Sequence, residues 1–212
     1  MMMGDLPVDL PQLSTLRLEL RAFVPADAAA LGRLAAAAEA AAPTPLLQGY
    51  DGRSPESWIA SQAAQVAAGR LAHWVIGPRG GEELFGSVGL VVDREHAVAQ
   101  FACWLAVEHW GRGLGREAAH AALAFGFREL GLRRIWASSY ATSDRSARLL
   151  DAIGMGREGL QRRHAVRLGR EEDLQLWGLL RDDYERRERA RWLAASARIV
   201  REAQRRMSEE GG

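Results

Sequence analysis

The run Leu16-Arg17-Leu18-Glu19-Leu20-Arg21 alternates apolar and charged side chains, the period of a half-buried strand. Pro25-Ala26-Asp27 opens the next element with proline at a favourable first-turn position. Residues 28–42 carry high helix propensity, but their alanine content leaves the buried face ambiguous. Pro43, Pro45, Gly49 and Gly52 mark a loop. Ser54-Pro55-Glu56-Ser57 then predicts a helix to about residue 68, with Ser54 as N-cap and Pro55 as first residue. Residues 71–77 and 83–92 read as strands about the turn Pro78-Arg79-Gly80-Gly81, and residues 98–106 as a third. Further along, 117–130 is helical, 134–140 a strand, and 144–153 a helix capped by Ser143 or Asp144 and stopped by Gly154. Strands over 160–168 and 173–180 flank the turn Gly169-Arg170, and one long helix follows to about residue 207. This order predicts an α+β domain with a mixed sheet over residues 14–181, a loose leader over 1–13, and a helical extension over 182–212.

Between strand 98–106 and helix 117–130 lies Trp110-Gly111-Arg112-Gly113-Leu114-Gly115-Arg116, with three glycines at alternate positions. Glycines let the backbone approach a ligand and take positive φ. The free N–H groups of the helix start point at an anion, and the helix dipole favours negative charge there. Arg112 and Arg116 add charge, so the turn suits the diphosphate of a nucleotide-like cofactor. It is not G-x-G-x-x-G, because the third spacing is too short, and it is not a P-loop, because the chain has no lysine.

Composition narrows this further. The 212 residues are 48% hydrophobic and 26% charged, with a formal net charge of +1, so no global field calls for nucleic acid or a membrane. All 28 basic residues are arginine, and asparagine is also missing, which reads as a bias of the source genome. A single cysteine, Cys103, excludes an internal disulfide. No run reaches transmembrane length and the first residues lack a signal pattern, so a cytoplasmic protein is expected.

The glycine turn resembles motif A, [QR]-x-x-G-x-[GA], of the GNAT superfamily of N-acetyltransferases. Trp110 in its first position resembles the RimJ/RimL-type branch, the ribosomal-protein-alanine/serine N-acetyltransferases. Residues 13–27 resemble the family's opening L-x-T-x-R-L-x-L-R-x-x-x-x-x-D, and residues 169–180 its closing G-x-x-x-D-x-x-x-x-x-L. The resemblance implies the GNAT fold, a mixed and mostly antiparallel sheet flanked by helices, here with an added C-terminal helix. It implies acetyl-CoA as cosubstrate and no metal, with Trp110 to Arg116 wrapping the pyrophosphate. It also implies a bulge in strand 98–106 that frees main-chain groups of Leu105, Ala106 and Val107 for pantetheine and an oxyanion.

The family's N-x-x-S falls on Ser143 and Ser146, beside the expected position of the sulfur. Ser146 and Tyr140 are then candidate proton donors to the leaving thiolate. A base carboxylate carried by RimL-like relatives falls on Ala165, which leaves His164, Glu158, Glu108 and His109 as replacements. Cys103 offers a covalent acetyl route, although a strand cysteine among apolar residues is usually packing. Gln48, Tyr50 and Arg53 occupy the expected acceptor loop. The implied activity is acetyl transfer to a primary amine, either a protein N-terminal α-amine or a small amine such as an antibiotic or polyamine. The competing reading is a CoA-binding regulatory module without catalysis. On the C-terminal helix, Tyr184, Trp192, Ala195, Ile199, Ala203 and Met207 form a stripe that suits packing on the domain or a homodimer contact. Its mixed charge makes ribosomal RNA the least favoured partner.

Overall fold

The computed structural model describes residues 10–41, 54–167 and 169–210. Eight strands form one sheet: β1 (Leu13–Ser14), β2 (Leu18–Arg21), β3 (Leu71–Pro78), β4 (Gly86–Asp93), β5 (Val98–Leu105), β6 (Arg134–Tyr140), β7 (Gly156–Arg167) and β8 (Arg170–Leu180). Their order is β1-β2-β3-β4-β5-β6-β8-β7, and the one parallel contact is β5 with β6. Helices are α1 (Ala28–Ala41), α2 (Pro55–Ala67), α3 (Leu114–Ala124), α4 (Asp144–Ala152) and α5 (Arg181–Glu210). The expected α+β class and mixed, mostly antiparallel sheet are therefore present.

Both sheet faces are covered. Residues of α1 and α2 pack on Val75, Ala102 and Trp104, while α3 and α4 pack on Leu90, Phe101, Ile135 and Ala137. The opening segment is tied down by charge. Asp27 is buried, accepts both terminal nitrogens of Arg21 at 2.8 and 2.7 Å, and caps the Val24 N–H at 2.8 Å. Of the leader expected over 1–13, residues 10–13 are docked, since the Pro11 carbonyl accepts from Trp74 Nε1 at 2.8 Å and Leu13 pairs with Leu20. The rest of it lies outside the described residues.

Several boundaries differ from expectation. Strand β4 begins at Gly86 rather than 83, although Leu84 and Phe85 are buried in the connection. Helix α3 begins at Leu114, three residues early, and ends in a π turn over Phe125–Glu129 where the Leu130 N–H reaches Phe125 O at 3.1 Å. Gly126 lies in that turn, and a Cβ there would come within 2.9 Å of Ile135 and Leu90 side chains, so glycine seats the helix on the sheet. Strands β7 and β8 are longer than expected and form one hairpin that closes at the pair Arg167↔Arg170.

The first turns of α5 pack on their own domain. Tyr184 is buried and stacks on Phe127 at 4.7 Å between centroids. Arg181 donates to the Leu132 carbonyl at 2.8 Å, and Arg128 lies 3.5 Å from Glu188. Trp192 and Leu193 stay exposed at 68% and 54%. The stripe positions Ala195, Ile199, Ala203 and Met207 lie outside the residues whose side chains are described. No helix of the described residues is long and apolar enough to cross a membrane.

The Tyr184→Ala variant is expected to lose about 2–4 kcal/mol of unfolding free energy, because it deletes a buried ring. Trp192→Ala should stay within about 0.5 kcal/mol. Urea titration of both variants checks the difference.

Candidate functional site

Strands β5 and β6 pair over three positions, from Val98↔Arg134 to Gln100↔Trp136, and then part. On their outer sides both ladders run on, β5 with β4 to Leu105 and β6 with β8 to Tyr140. The result is a gap that widens toward the glycine turn. The β4–β5 register is unbroken from Gly86↔Leu105 to Asp93↔Val98, so the expected bulge in this strand is not there. Divergence alone opens the edge.

Ladder geometry says which main-chain groups face the gap. The Ala106 N–H donates to Phe85 O at 2.8 Å, so even-numbered residues of β5 turn their main chain to β4. Phe101, Cys103 and Leu105 turn theirs to the gap. Of the main-chain groups expected free at Ala106 and Val107, both of Ala106 and the carbonyl of Val107 are engaged instead. Besides the Ala106 N–H, the carbonyls of Ala106 and Val107 accept from the N–H groups of His109 and Trp110, at 3.0 and 3.1 Å. The Leu105 carbonyl is met by the Trp110 indole N–H at 2.7 Å. Trp110 carries the Arg145 guanidinium 3.3 Å from its ring centroid, so one stack joins β5, the glycine turn and the start of α4.

Within the turn, Gly111 and Gly113 take φ of +73° and +76°. A side chain would be strained at both positions. Gly115 is different: it lies in the first turn of α3, where a Cβ would sit 3.4 Å from Leu105 Cδ1. The first α3 amide with a helical partner is Glu117 N–H, bonded to Gly113 O at 3.1 Å. The N–H groups of Leu114, Gly115 and Arg116 therefore stay open for an anion, with exposed Arg112 and Arg116 beside them. This donor set fits a pyrophosphate.

The turn is anchored from 100 residues away. Glu117 accepts from Thr15 Oγ1 at 2.6 Å, Arg17 N at 2.8 Å and Arg17 Nε at 2.7 Å. Arg17 Nη1 also donates to the Arg112 carbonyl at 2.9 Å. Burial pushes the Glu117 carboxyl up, but these hydrogen bonds and the Arg17 charge outweigh it and hold it below the usual carboxylate value. The family-like opening T-x-R is thus a brace for the glycine turn, a role that its spacing in sequence does not reveal.

The side-chain candidates separate. Ser143 caps α4 and its hydroxyl donates to Ser146 Oγ at 3.0 Å, which places both at the α4 start on the α3/α4 face of the sheet. Tyr140 ends β6 on the opposite face, with the Arg167 guanidinium 5.2 Å from its ring. Glu158 is drawn away from the gap. Both its oxygens accept from Arg134 at the far end of β6, and that hydrogen bonding, against desolvation, holds its carboxyl low. A carboxylate so paired is a poor base. His164 is exposed in an irregular stretch of β7, beside Arg163 at φ +49°. Glu108 is exposed, and His109 is buried against Phe85 with Nδ1 unpartnered. Burial pushes the Cys103 thiol up to about 12, which leaves almost no thiolate near neutral pH. Gln48, Tyr50 and Arg53 lie outside the described residues.

On the α1/α2 face, His73 bridges Gln62 Oε1 at 3.0 Å and Ser87 Oγ at 2.9 Å, and burial lowers its pKa to about 3. Nearby Trp104 is buried with its indole N–H unpartnered. No cluster of potential metal ligands occurs among the described residues.

Comparison with known proteins fits this geometry. Residues 17–156 match the family described as acetyltransferase (GNAT) domain. The chain is 29% identical over 126 residues, 59% of it and 71% of the relative, to the uncharacterized N-acetyltransferase YoaA of Bacillus subtilis. Among solved structures it resembles Mycobacterium smegmatis RimJ in complex with CoA-disulfide, with a TM-score of 0.71, 23% identity, and coverage of 82% and 89% of the two chains. It also resembles RimL, a ribosomal L7/L12 alpha-N-protein acetyltransferase in complex with coenzyme A, with a TM-score of 0.71, 16% identity, and coverage of 84% and 98%.

The brace gives a test. A carboxylate held low stabilises the fold above its unfolded-state value of about 4.3 and loses that contribution as pH falls through its folded value. Wild type should therefore be more stable than Glu117→Gln at pH 7, and the gap should close below about pH 4. Thermal unfolding across pH 3–7 measures it.

Proposed function

Because the chain belongs to the GNAT acetyltransferase family, we propose that it moves an acetyl group from acetyl-CoA to a primary amine by direct transfer in a ternary complex. The observation that carries this reading is the meeting of the β5–β6 gap with the open amides of the glycine turn. In it, the amides of Gly111, Arg112, Gly113, Leu114, Gly115 and Arg116 hold the pyrophosphate, with Arg112 and Arg116 adding charge. The pantetheine arm enters the gap, where the main chain of Cys103 and Leu105 faces it. The Leu105 N–H is the donor placed to hold the thioester carbonyl and the oxyanion formed on attack.

The amine approaches from the α1/α2 face, where Tyr140 lies, and the thioester lies on the α4 side near Ser143 and Ser146. The neutral amine nitrogen bonds to the thioester carbonyl carbon and gives up a proton to solvent. The carbon–sulfur bond breaks, and the thiolate takes a proton from the Ser146 or Tyr140 hydroxyl, which regains one from solvent. Holding amine and thioester together removes much of the barrier. The raised Cys103 thiol argues for this direct route over an acetyl-cysteine intermediate.

The RimJ- and RimL-like neighbours favour a protein N-terminal α-amine as acceptor. Thiol release with an alanine- or serine-initiated peptide tests this. Release with small amines alone would replace that acceptor, and CoA binding with no turnover of any amine would make the protein a CoA-binding module instead.

Three substitutions follow. Gly113→Asp puts a carboxylate where the pyrophosphate would sit, and calorimetry should show CoA affinity reduced about a hundredfold for about 1–2 kcal/mol of lost stability. Ser146→Ala should lower kcat about tenfold or more with acceptor KM little changed, whereas Cys103→Ala should retain most activity. Steady-state kinetics on both decides between the direct and covalent routes.

A further inference from the structure

The last β5–β6 pair, Gln100↔Trp136, fixes which side chains flank the gap beyond it. Register partners in a parallel pair share a face, and side chains alternate along each strand. Two residues on come Ala102 and Ser138, and then Trp104 and Tyr140. These face one another across the mouth of the gap on the α1/α2 face, opposite α3 and α4.

Strand β8 extends this wall. Tyr140 pairs with Leu174, so Glu172, two residues away on the same face, is its diagonal neighbour. Glu172 is half-buried and accepts from Thr142 Oγ1 at 3.1 Å, which aims the carboxylate at the β6–α4 junction. Its own cross-strand partner on β7 is the small Ala165. Arg167, on that face of β7, lays its guanidinium over Tyr140.

A second observation comes from the other wall. Trp104 is 5% exposed and its indole N–H has no partner. An unpaired buried donor carries a cost that a bound acceptor atom would relieve.

We infer that Glu172, with Tyr140 and Trp104, forms the acceptor subsite, and that Glu172 binds the ammonium of an acceptor bearing a single charge next to a carbonyl, as at a peptide N-terminus. This rests on the acetyltransferase reading above and names its substrate class. A single carboxylate holds one ammonium, but attracts a polyamine weakly. The Trp104 N–H complements the carbonyl oxygen of the first peptide bond. The bound ammonium first gives one proton to the Glu172 carboxylate, which passes it to solvent and frees the nitrogen lone pair. As the nitrogen then bonds to the thioester carbon it sheds a second proton, which balances the one taken up by the leaving thiolate.

The test uses the full chain, acetyl-CoA and an alanine-initiated peptide, with spermidine as the competing acceptor. Glu172→Gln should raise the peptide KM ten- to a hundredfold and leave the acetyl-CoA KM unchanged, and Glu172→Asp should recover part of the loss. The N-acetylated peptide, which has no ammonium, should inhibit wild type and Glu172→Gln equally. Trp104→Phe should weaken the peptide more than n-propylamine, which has no carbonyl. An unchanged peptide KM in Glu172→Gln, equal loss toward acetyl-CoA, or preferred turnover of spermidine by wild type would overturn the subsite. A wild type that binds CoA but acetylates no amine would overturn the transferase reading itself, a different signature.

Discussion

Strand β5 keeps a complete ladder with β4, and β6 keeps one with β8, so the two can separate after Gln100 and Trp136 at little cost. A buried main-chain group left unpaired is expensive. Here the exposed edge groups are few, and the Trp110 indole meets the Leu105 carbonyl at 2.7 Å. Everything that makes this domain a site depends on that parting. It opens the sheet between β5 and β6 and makes the gap on which the proposed cofactor and acceptor sites rest. The glycine turn sits at the wide end because it directly continues β5.

Arginine does much of the joining. The chain has no lysine, and its guanidinium groups reach carbonyls as well as carboxylates: Arg17 holds Arg112 O and Glu117, Arg133 holds His96 O, and Arg181 holds Leu132 O. A planar fork suits two acceptors at once, where an ammonium would act as a point charge. A composition read as genomic bias therefore has structural consequences in the braces around the site. The same pairing removes Glu158 from the candidate bases, since Arg134 occupies both of its oxygens.

The element order and the glycine turn are legible because they are written in local patterns: the Ser54-Pro55 cap, the glycines at 111 and 113 that need positive φ, and the alternation over 16–21, of which only Leu18–Arg21 is strand while Leu16 is 83% exposed. The start of α3 was misplaced because Gly115 looked like turn and is in fact helix, spared a side chain by Leu105 rather than by its dihedrals. The proposed acceptor side chains are less legible. Glu172 becomes visible only through the register of β8 against β6 and β7, and a sequence holds no register. Asp173 shows the same limit. Its carboxylate accepts the Arg163 N–H at 2.7 Å and so pins the irregular stretch of β7, a long-range tie that no spacing announces.

Strand β8 is the last strand made, yet it lies inside the sheet, between β6 and β7. While the chain is being synthesised, the outer edge of β6 stays open until residue 180 is available, and β7 has no partner to lie against. The glycine turn and its brace use residues 15 to 117 and are complete in the chain before that point. The β8 wall that carries Glu172 is not. During that interval the bare β6 edge is the part of the molecule most exposed to pairing with another chain.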